Sequence, residues 1–78
     1  MRFTVVLFRD DETDSYEAVV PALTNCVTFG KTIEHALAMA QELAEIRVAQ
    51  MVEDGEEIPG ETEAALVGVV DVRVPVTA

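Results

Sequence analysis

One stretch in the middle of the chain has the spacing of a long amphipathic helix, and the apolar residues around it alternate as they do in strands. The helical stretch follows Thr32, whose hydroxyl can cap the free N–H groups of a first turn, and Gly55 is a natural stop behind it. Its core-facing stripe recurs at helical spacing. The stripe consists of Ile33, Ala36, Leu37, Ala40, Leu43, Ala44, Val48, Met51 and Val52. A chain with one such helix has to build the rest of its core from a sheet.

Four runs have the composition of β-strands. They are Arg2 to Arg9, Tyr16 to Val20, Cys26 to Phe29 and Ala65 to Val76. The turn-forming run Asp10 to Ser15 joins the first two into a hairpin, Pro21 ends the second and Gly30 ends the third. The predicted fold is therefore α+β with the order β-β-β-α-β. An antiparallel three-stranded meander and a returning strand carry one long helix on a face of the sheet.

The length of 78 residues predicts one domain over residues 1–78. A chain of this size buries only about 60% of its unfolded surface, so its margin of stability is thin. Met39, Ile46 and Ala49 widen the apolar surface of the helix, and the outer faces of the first and last strands also carry apolar side chains. This is more apolar surface than one helix can cover, and it predicts a homodimer or tetramer formed through a sheet edge or face.

Acidic residues dominate the charge. Fifteen acids against five Lys and Arg give a formal charge of −10, which repels phosphate backbones, so we expect no direct binding of nucleic acid and favour a basic protein partner. The first acidic cluster is Asp10, Asp11, Glu12, Asp14 and Glu17. The second is Glu53, Asp54, Glu56, Glu57, Glu61 and Glu63. Either cluster could instead be a solvated loop that keeps the protein soluble.

One short pattern resembles the end of a phosphate-binding loop. Gly30-Lys31-Thr32 follows a strand and opens a helix, yet Asn25 stands where the loop requires glycine. We therefore interpret Gly30 as a tight turn and Thr32 as a helix cap, and we predict no nucleotide or other cofactor.

A second pattern resembles the start of a calcium loop. Asp10, Glu12 and Asp14 alternate as the first ligands would. That loop requires glycine at Ser15 and a bidentate acid at Pro21, so no metal site is predicted.

Catalytic groups are scarce. His35 is the only histidine and has no nucleophile at a recognisable spacing, and the lone Cys26 lies in an apolar strand where burial would keep it inert. We predict that the protein is not an enzyme. No charged start leads into an apolar signal segment and no apolar run is long enough to span a membrane, so the chain is expected to be cytoplasmic and without a membrane partner.

More than half of the chain resembles the N-terminal domain of HicB antitoxins. The matching motifs are Tyr-x-Ala-x-Val-Pro from Tyr16 to Pro21, Cys26-Val27-Thr28-x-Gly30-x-Thr32-x-Glu34-x-Ala36, and Glu53-Asp54-Gly55-x-x-Ile58-Pro59. Thr24-Asn25 departs from the Pro-Gly that the family usually has there. We expect this departure to change only the loop before the third strand.

The resemblance implies a degraded RNase H-like fold and a role in a toxin–antitoxin system. HicB-type proteins bind and mask HicA, a small basic mRNA interferase, and the charge of −10 suits such a partner. Family members often bind operator DNA through a further C-terminal domain. This chain ends within a few residues of its last predicted strand, so we expect no operator binding by this polypeptide itself.

For the surface that faces the toxin we predict the acidic hairpin turn, because clustered carboxylates that meet Arg or Lys speed encounter and set register. Its residues are Asp10, Asp11, Glu12, Asp14 and Glu17. One alternative is a stand-alone HicB-like oligomeric scaffold or binding protein without a toxin. The other is a residual RNase H-like nuclease. That class holds metal ions between several acids from different strands, whereas the acids of this chain fall mostly in two loops.

Overall fold

The structure is a computed structural model and describes residues 1–60 and 68–76. Its elements are β1 (Val6–Asp10), β2 (Ser15–Val19), β3 (Val27–Gly30) and α1 (Ile33–Glu53). The strands form an antiparallel sheet in the order β1-β2-β3, and α1 packs on β3 and β2. The predicted α+β class, the three-stranded meander and the single long helix on the sheet are confirmed.

The first strand is shorter than its pattern predicts. The pattern indicates a strand from Arg2 to Arg9, whereas β1 covers Val6–Asp10. Residues 1–5 fall outside the ladder because the chain turns away after β2. Pro21 has no N–H to donate to a sheet, and the N–H of Leu23 donates back to the carbonyl of Val20 at 3.1 Å. The bounds of β2 and β3 differ from the predicted ones by one residue at each end.

The core is small and made mostly of short side chains. The buried residues are Ala18, Val20, Leu23, Cys26, Ala36 and Ala40. Leu43, Ala44, Val48 and Met51 of the predicted helix stripe pack against them, whereas Ile33, Leu37 and Val52 of that stripe are exposed. Gly30 sets how closely the helix lies on the sheet. A Cβ added there would clash with the backbone N of Ala36 and lie 2.6 Å from its Cα.

The helix begins with a reciprocal cap. Thr32 is the N-cap, and its Oγ1 accepts a hydrogen bond from the backbone N–H of His35 at 3.0 Å. The Nδ1 of His35 accepts from the backbone N–H of Lys31 at 3.2 Å. These two bonds satisfy N–H groups at the start of the helix, as in a capping box. The prediction that Thr32 caps the helix is confirmed, and His35 is exposed.

The helix ends in a Schellman motif. The N–H of Glu56 donates to the Met51 carbonyl at 2.9 Å, and the N–H of Gly55 donates to the Val52 carbonyl at 3.2 Å. Gly55 has a φ of +72°, in the left-handed region that glycine adopts without steric cost. The predicted stop at Gly55 is confirmed.

Replacing Gly55 with alanine is expected to lower the free energy of unfolding by about 1 kcal/mol, because a Cβ is strained at positive φ. Thermal unfolding followed by circular dichroism should show a midpoint roughly 4–8 °C lower. Gly55→Asn is the matched control, because asparagine tolerates this conformation better. An alanine variant as stable as the wild type would contradict the assigned cap.

The loop before β3 explains the departure from the HicB pattern. Asn25 has a φ of +56°, so it adopts the left-handed conformation that a glycine would favour. Asparagine is one of the few other residues that adopt it readily. The Arg47 side chain, on the helix, donates to the Asn25 carbonyl at 3.1 Å and fastens this loop to α1.

The predicted returning strand is not found in the described part of its range. Residues 65–67 of the predicted run Ala65 to Val76 lie outside the described residues. Residues 68–76 take no part in the sheet, and all nine are exposed. A strand needs an edge to pair with, and within this single chain the segment does not meet one. Among residues 1–60 and 68–76, no helix is long and apolar enough to cross a membrane.

Candidate partner-binding surface

The acidic turn closes the β1–β2 hairpin. Asp10 and Ser15 form the last pair of the ladder, and a four-residue loop, Asp11 to Asp14, connects them. The Asp10 Oδ1 accepts from the backbone N–H of Glu12 at 3.0 Å, and Asp14 has a φ of +50°. Aspartate suits both positions because its short side chain bonds to the nearby backbone and tolerates the left-handed region. Asp10 and Asp14 therefore stabilise the conformation of the loop in addition to contributing negative charge.

Arg9, in β1, binds two of the acids of the turn. Its Nη2 donates to Asp14 at 2.6 Å and its Nε donates to Asp11 at 3.0 Å. Its Nη1 donates to the Tyr16 hydroxyl at 3.2 Å, and the guanidinium carbon lies 5.6 Å from the centre of that ring. These hydrogen bonds, with that to Tyr16 contributing most, raise the pKa of the guanidinium, which stays charged. Glu12 is exposed and forms no ion pair among the described residues, so its carboxylate is available to a partner.

Glu17 does not belong to the turn. It lies in β2, opposite Phe8 on β1 and Phe29 on β3. Ala18, its neighbour in sequence, is buried in the core, so Glu17 points to the opposite face of the sheet, away from the helix. Phe8 and Phe29 are 55% and 56% exposed there. The outer face of the sheet therefore carries exposed aromatic side chains, because α1 packs on the other face.

The turn and the outer face of the sheet form one continuous surface. Asp10 points to the same face as Phe8, two residues away in β1, and is the diagonal neighbour of Glu17 across the ladder. A carboxylate between two exposed aromatic rings suits an arginine, whose guanidinium can pair with the acid and stack on a ring. We call the turn together with Phe8, Glu17 and Phe29 the acidic–aromatic surface.

The second acidic cluster lies at the other end of the molecule. Gly30, the last residue of β3, pairs with Tyr16 beside the hairpin turn, so α1 starts at the turn end of the sheet. Its 21 residues then run roughly 30 Å away from the turn. Glu53, Asp54, Glu56 and Glu57 are exposed around its C-terminus, and Glu61 and Glu63 lie outside the described residues.

The titratable groups that could do chemistry are kept apart. Burial raises the pKa of the Cys26 thiol, so it stays protonated, and the charge of Arg47 opposes this less strongly. His35 is exposed and serves the helix cap, as described above. Within residues 1–60 and 68–76, no three His, Cys, Asp or Glu side chains converge in a group that could hold a metal ion.

Sequence reasoning located the acids of the turn but missed their neighbours. Arg9 directly precedes Asp10 in the sequence, and its role depends on the pairing of Arg9 with Tyr16. The alternation of the first strand places Phe8 on its outer face, but nothing in the sequence indicates that Phe29 lies beside it. The one signal available was the alternation of the strands, which puts Phe8 and Asp10 on the same side.

Comparison with known proteins identifies one family. The family model described as the HicB-like antitoxin of bacterial toxin–antitoxin systems matches residues 3–71, which is most of the chain. A search of curated proteins and a search of solved structures each gave no match.

Proposed function

The chain belongs to the HicB-like antitoxin family of bacterial toxin–antitoxin systems, and from this premise we propose that it binds and neutralises a small basic HicA-type mRNA interferase through the acidic–aromatic surface. Membership in an antitoxin family indicates a regulatory rather than a catalytic role and implies a toxin as partner. The identity of that toxin and the surface that meets it are the proposal. Direct contact with operator DNA is not part of it, because a charge of −10 opposes it.

The observation that carries the proposal is the placement of four carboxylates on the hairpin turn beside a row formed by the exposed Phe8 and Phe29 with the half-buried Glu17 between them. Exposed carboxylates raise the encounter rate with a basic partner, and the apolar row supplies area that excludes water once the partner is bound. An RNA-cleaving enzyme has to present cations to phosphates, so its own active surface is complementary to this one.

Co-purification tests the proposal. The proposal predicts that an adjacent gene encodes a small basic protein. The chain is expressed together with that protein, and the complex is recovered through a tag on the toxin. We expect recovery at low salt and a marked loss at about 1 M salt, where exposed charges are screened beyond about 3 Å. Failure to recover a complex at any salt would instead favour a stand-alone oligomeric scaffold or binding protein.

Replacing Glu17 with glutamine is expected to weaken toxin binding roughly tenfold, because a charge-assisted hydrogen bond to a partner arginine becomes a neutral one. Isothermal titration calorimetry measures the change. Glu42→Gln is the matched control, because Glu42 is exposed on the helix and away from the acidic–aromatic surface. Equal affinities for the two variants would remove Glu17 from the interface.

A further inference from the structure

The segment Val69–Val76 is the most apolar exposed part of the described chain. Its five valines, Val69, Val70, Val72, Val74 and Val76, are between 75% and 96% exposed. Contiguous apolar surface of this kind is uncommon in a soluble monomer and marks a site of contact.

The segment has two different faces when it is extended. Val70, Val72, Val74 and Val76 share one face, and Asp71, Arg73 and Pro75 alternate with them. An apolar stripe opposite a charged one is the pattern of a strand that is added at the edge of a sheet and covers a core with one side.

The body of the protein carries an apolar groove without a cover. It has a volume of about 720 Å³ and lies between the chain before β1 and the middle of α1. Phe3 and Val5 form one wall, and Leu37, Ala44 and Val48 form the other. The groove exists because α1 packs over β3 and β2 and leaves the β1 side of the sheet open.

The segment and the groove are complementary. β1 is an edge strand, so it presents backbone groups with which an added strand can pair. With the four-valine face against the helix, Asp71 lies on the opposite face. The apolar face of the segment then meets Phe3, Val5 and the apolar side of the helix, which are the walls of the groove.

We propose that the Val69–Val76 segment of each chain docks as a strand in the groove of a second copy, so that two chains exchange their segments. In the single chain the segment leaves its own groove open. The five valines are 75% to 96% exposed and none of them lines the groove, so the segment is not docked there in the single chain. Reciprocal exchange buries both segments and both grooves in one closed two-fold pair.

Disulfide trapping between two singly substituted chains tests the exchange. Chains with Gln41→Cys, in the groove, are mixed with chains with Val72→Cys, in the segment, and then oxidised. We expect a covalent two-chain species in the mixture and in neither chain alone, as seen by non-reducing gel electrophoresis. Cys26 is buried and is present in every sample, so it cannot cause a difference between the mixture and the separate chains.

Gln50→Cys mixed with Val72→Cys is the matched control. Gln41 and Gln50 are both exposed on α1, but they are nine residues apart and point to opposite sides of the helix, and only Gln41 lines the groove. This control is expected to give no two-chain species. Equal trapping with Gln50→Cys would overturn the proposal, because the contact would then be nonspecific.

A chain with both Gln41→Cys and Val72→Cys separates exchange from folding back. If the segment docks in its own groove, this chain gives a one-chain species with an internal disulfide and the mixture gives nothing, which would overturn the proposal. Absence of trapping in both samples would also overturn the proposal.

Light scattering in solution should give the wild type the mass of two chains. The Val72→Asp variant should have the mass of one chain and an unchanged helical circular dichroism signal.

Discussion

Replacing Gly30 with alanine is expected to destabilise the protein by about 3 kcal/mol or more. The added Cβ clashes with the backbone of Ala36, in the first turn of α1, and a backbone atom cannot move to another rotamer. The helix would have to lift away from β3, which would open the core around Ala18, Ala36 and Ala40. Thermal unfolding should occur at least about 12 °C lower than in the wild type.

Gly60→Ala is the matched control for this substitution. Nothing lies within 4 Å of a Cβ built at Gly60, so the midpoint should stay within a few degrees of the wild type. A Gly30→Ala variant that unfolds at the same temperature as Gly60→Ala would show that the close approach of α1 to the sheet does not hold the fold together.

Neutralising the acidic turn is expected to weaken toxin binding roughly a hundredfold at low salt, because four exposed charges each contribute modestly. The variant carries Asp10→Asn, Asp11→Asn, Glu12→Gln and Asp14→Asn. We expect these changes to keep the hairpin, because asparagine can still accept the Glu12 N–H at position 10 and tolerates the left-handed conformation at position 14. The amide oxygens at positions 11 and 14 can also accept the Arg9 N–H groups, as neutral hydrogen bonds in place of the ion pairs. The affinity of the variant and of the wild type is measured at low and at physiological salt. The difference between the two affinities should narrow as the salt concentration rises.

An equal change of charge at the far end of the helix provides the control. Glu53→Gln, Asp54→Asn, Glu56→Gln and Glu57→Gln remove the same number of acids roughly 30 Å from the turn. The affinity of this variant for the toxin should fall by less than about tenfold, because only the rate of encounter is reduced. If the two variants lose affinity equally, the toxin responds to net charge, and the turn is not its contact surface.

The two proposed surfaces lie at different places on the molecule. The acidic–aromatic surface occupies the hairpin turn and the outer face of the sheet, and the apolar groove lies on the helix side beside Phe3 and Val5. A pair of chains joined through their C-terminal segments would therefore leave both turns free. Such a pair could bind two toxin molecules at once.

The helix was predictable because its signals are local. Thr32 and Gly55 fix its ends through bonds within a few residues, and the observed bounds Ile33–Glu53 follow from them. The strands were less predictable at their ends, because pairing depends on a distant partner. The apolar run at Arg2–Val5 looks like a strand, but the chain beyond Val19 turns away from it.

The candidate surface was also predictable only where its signals are local in the sequence. The acids of the turn could be located from the sequence alone, because they lie next to one another in the chain. The separation of Glu17 from the turn and the clamp formed by Arg9 both depend on the register of β1 with β2. The register is set by the burial of Ala18 against the helix, a contact between residues far apart in sequence. The pattern of the Val69–Val76 run predicts a strand but does not identify its partner.

Growth rescue in cells tests the antitoxin assignment and its surface together. The adjacent basic protein is expressed from an inducible promoter with the wild-type chain, the neutralised turn variant or the helix-end control. We predict that the wild type and the helix-end control restore growth and that the turn variant does not, with equal amounts of each chain in the cells. Full rescue by the turn variant would contradict the proposed surface, and absence of rescue by the wild type would contradict neutralisation of that toxin.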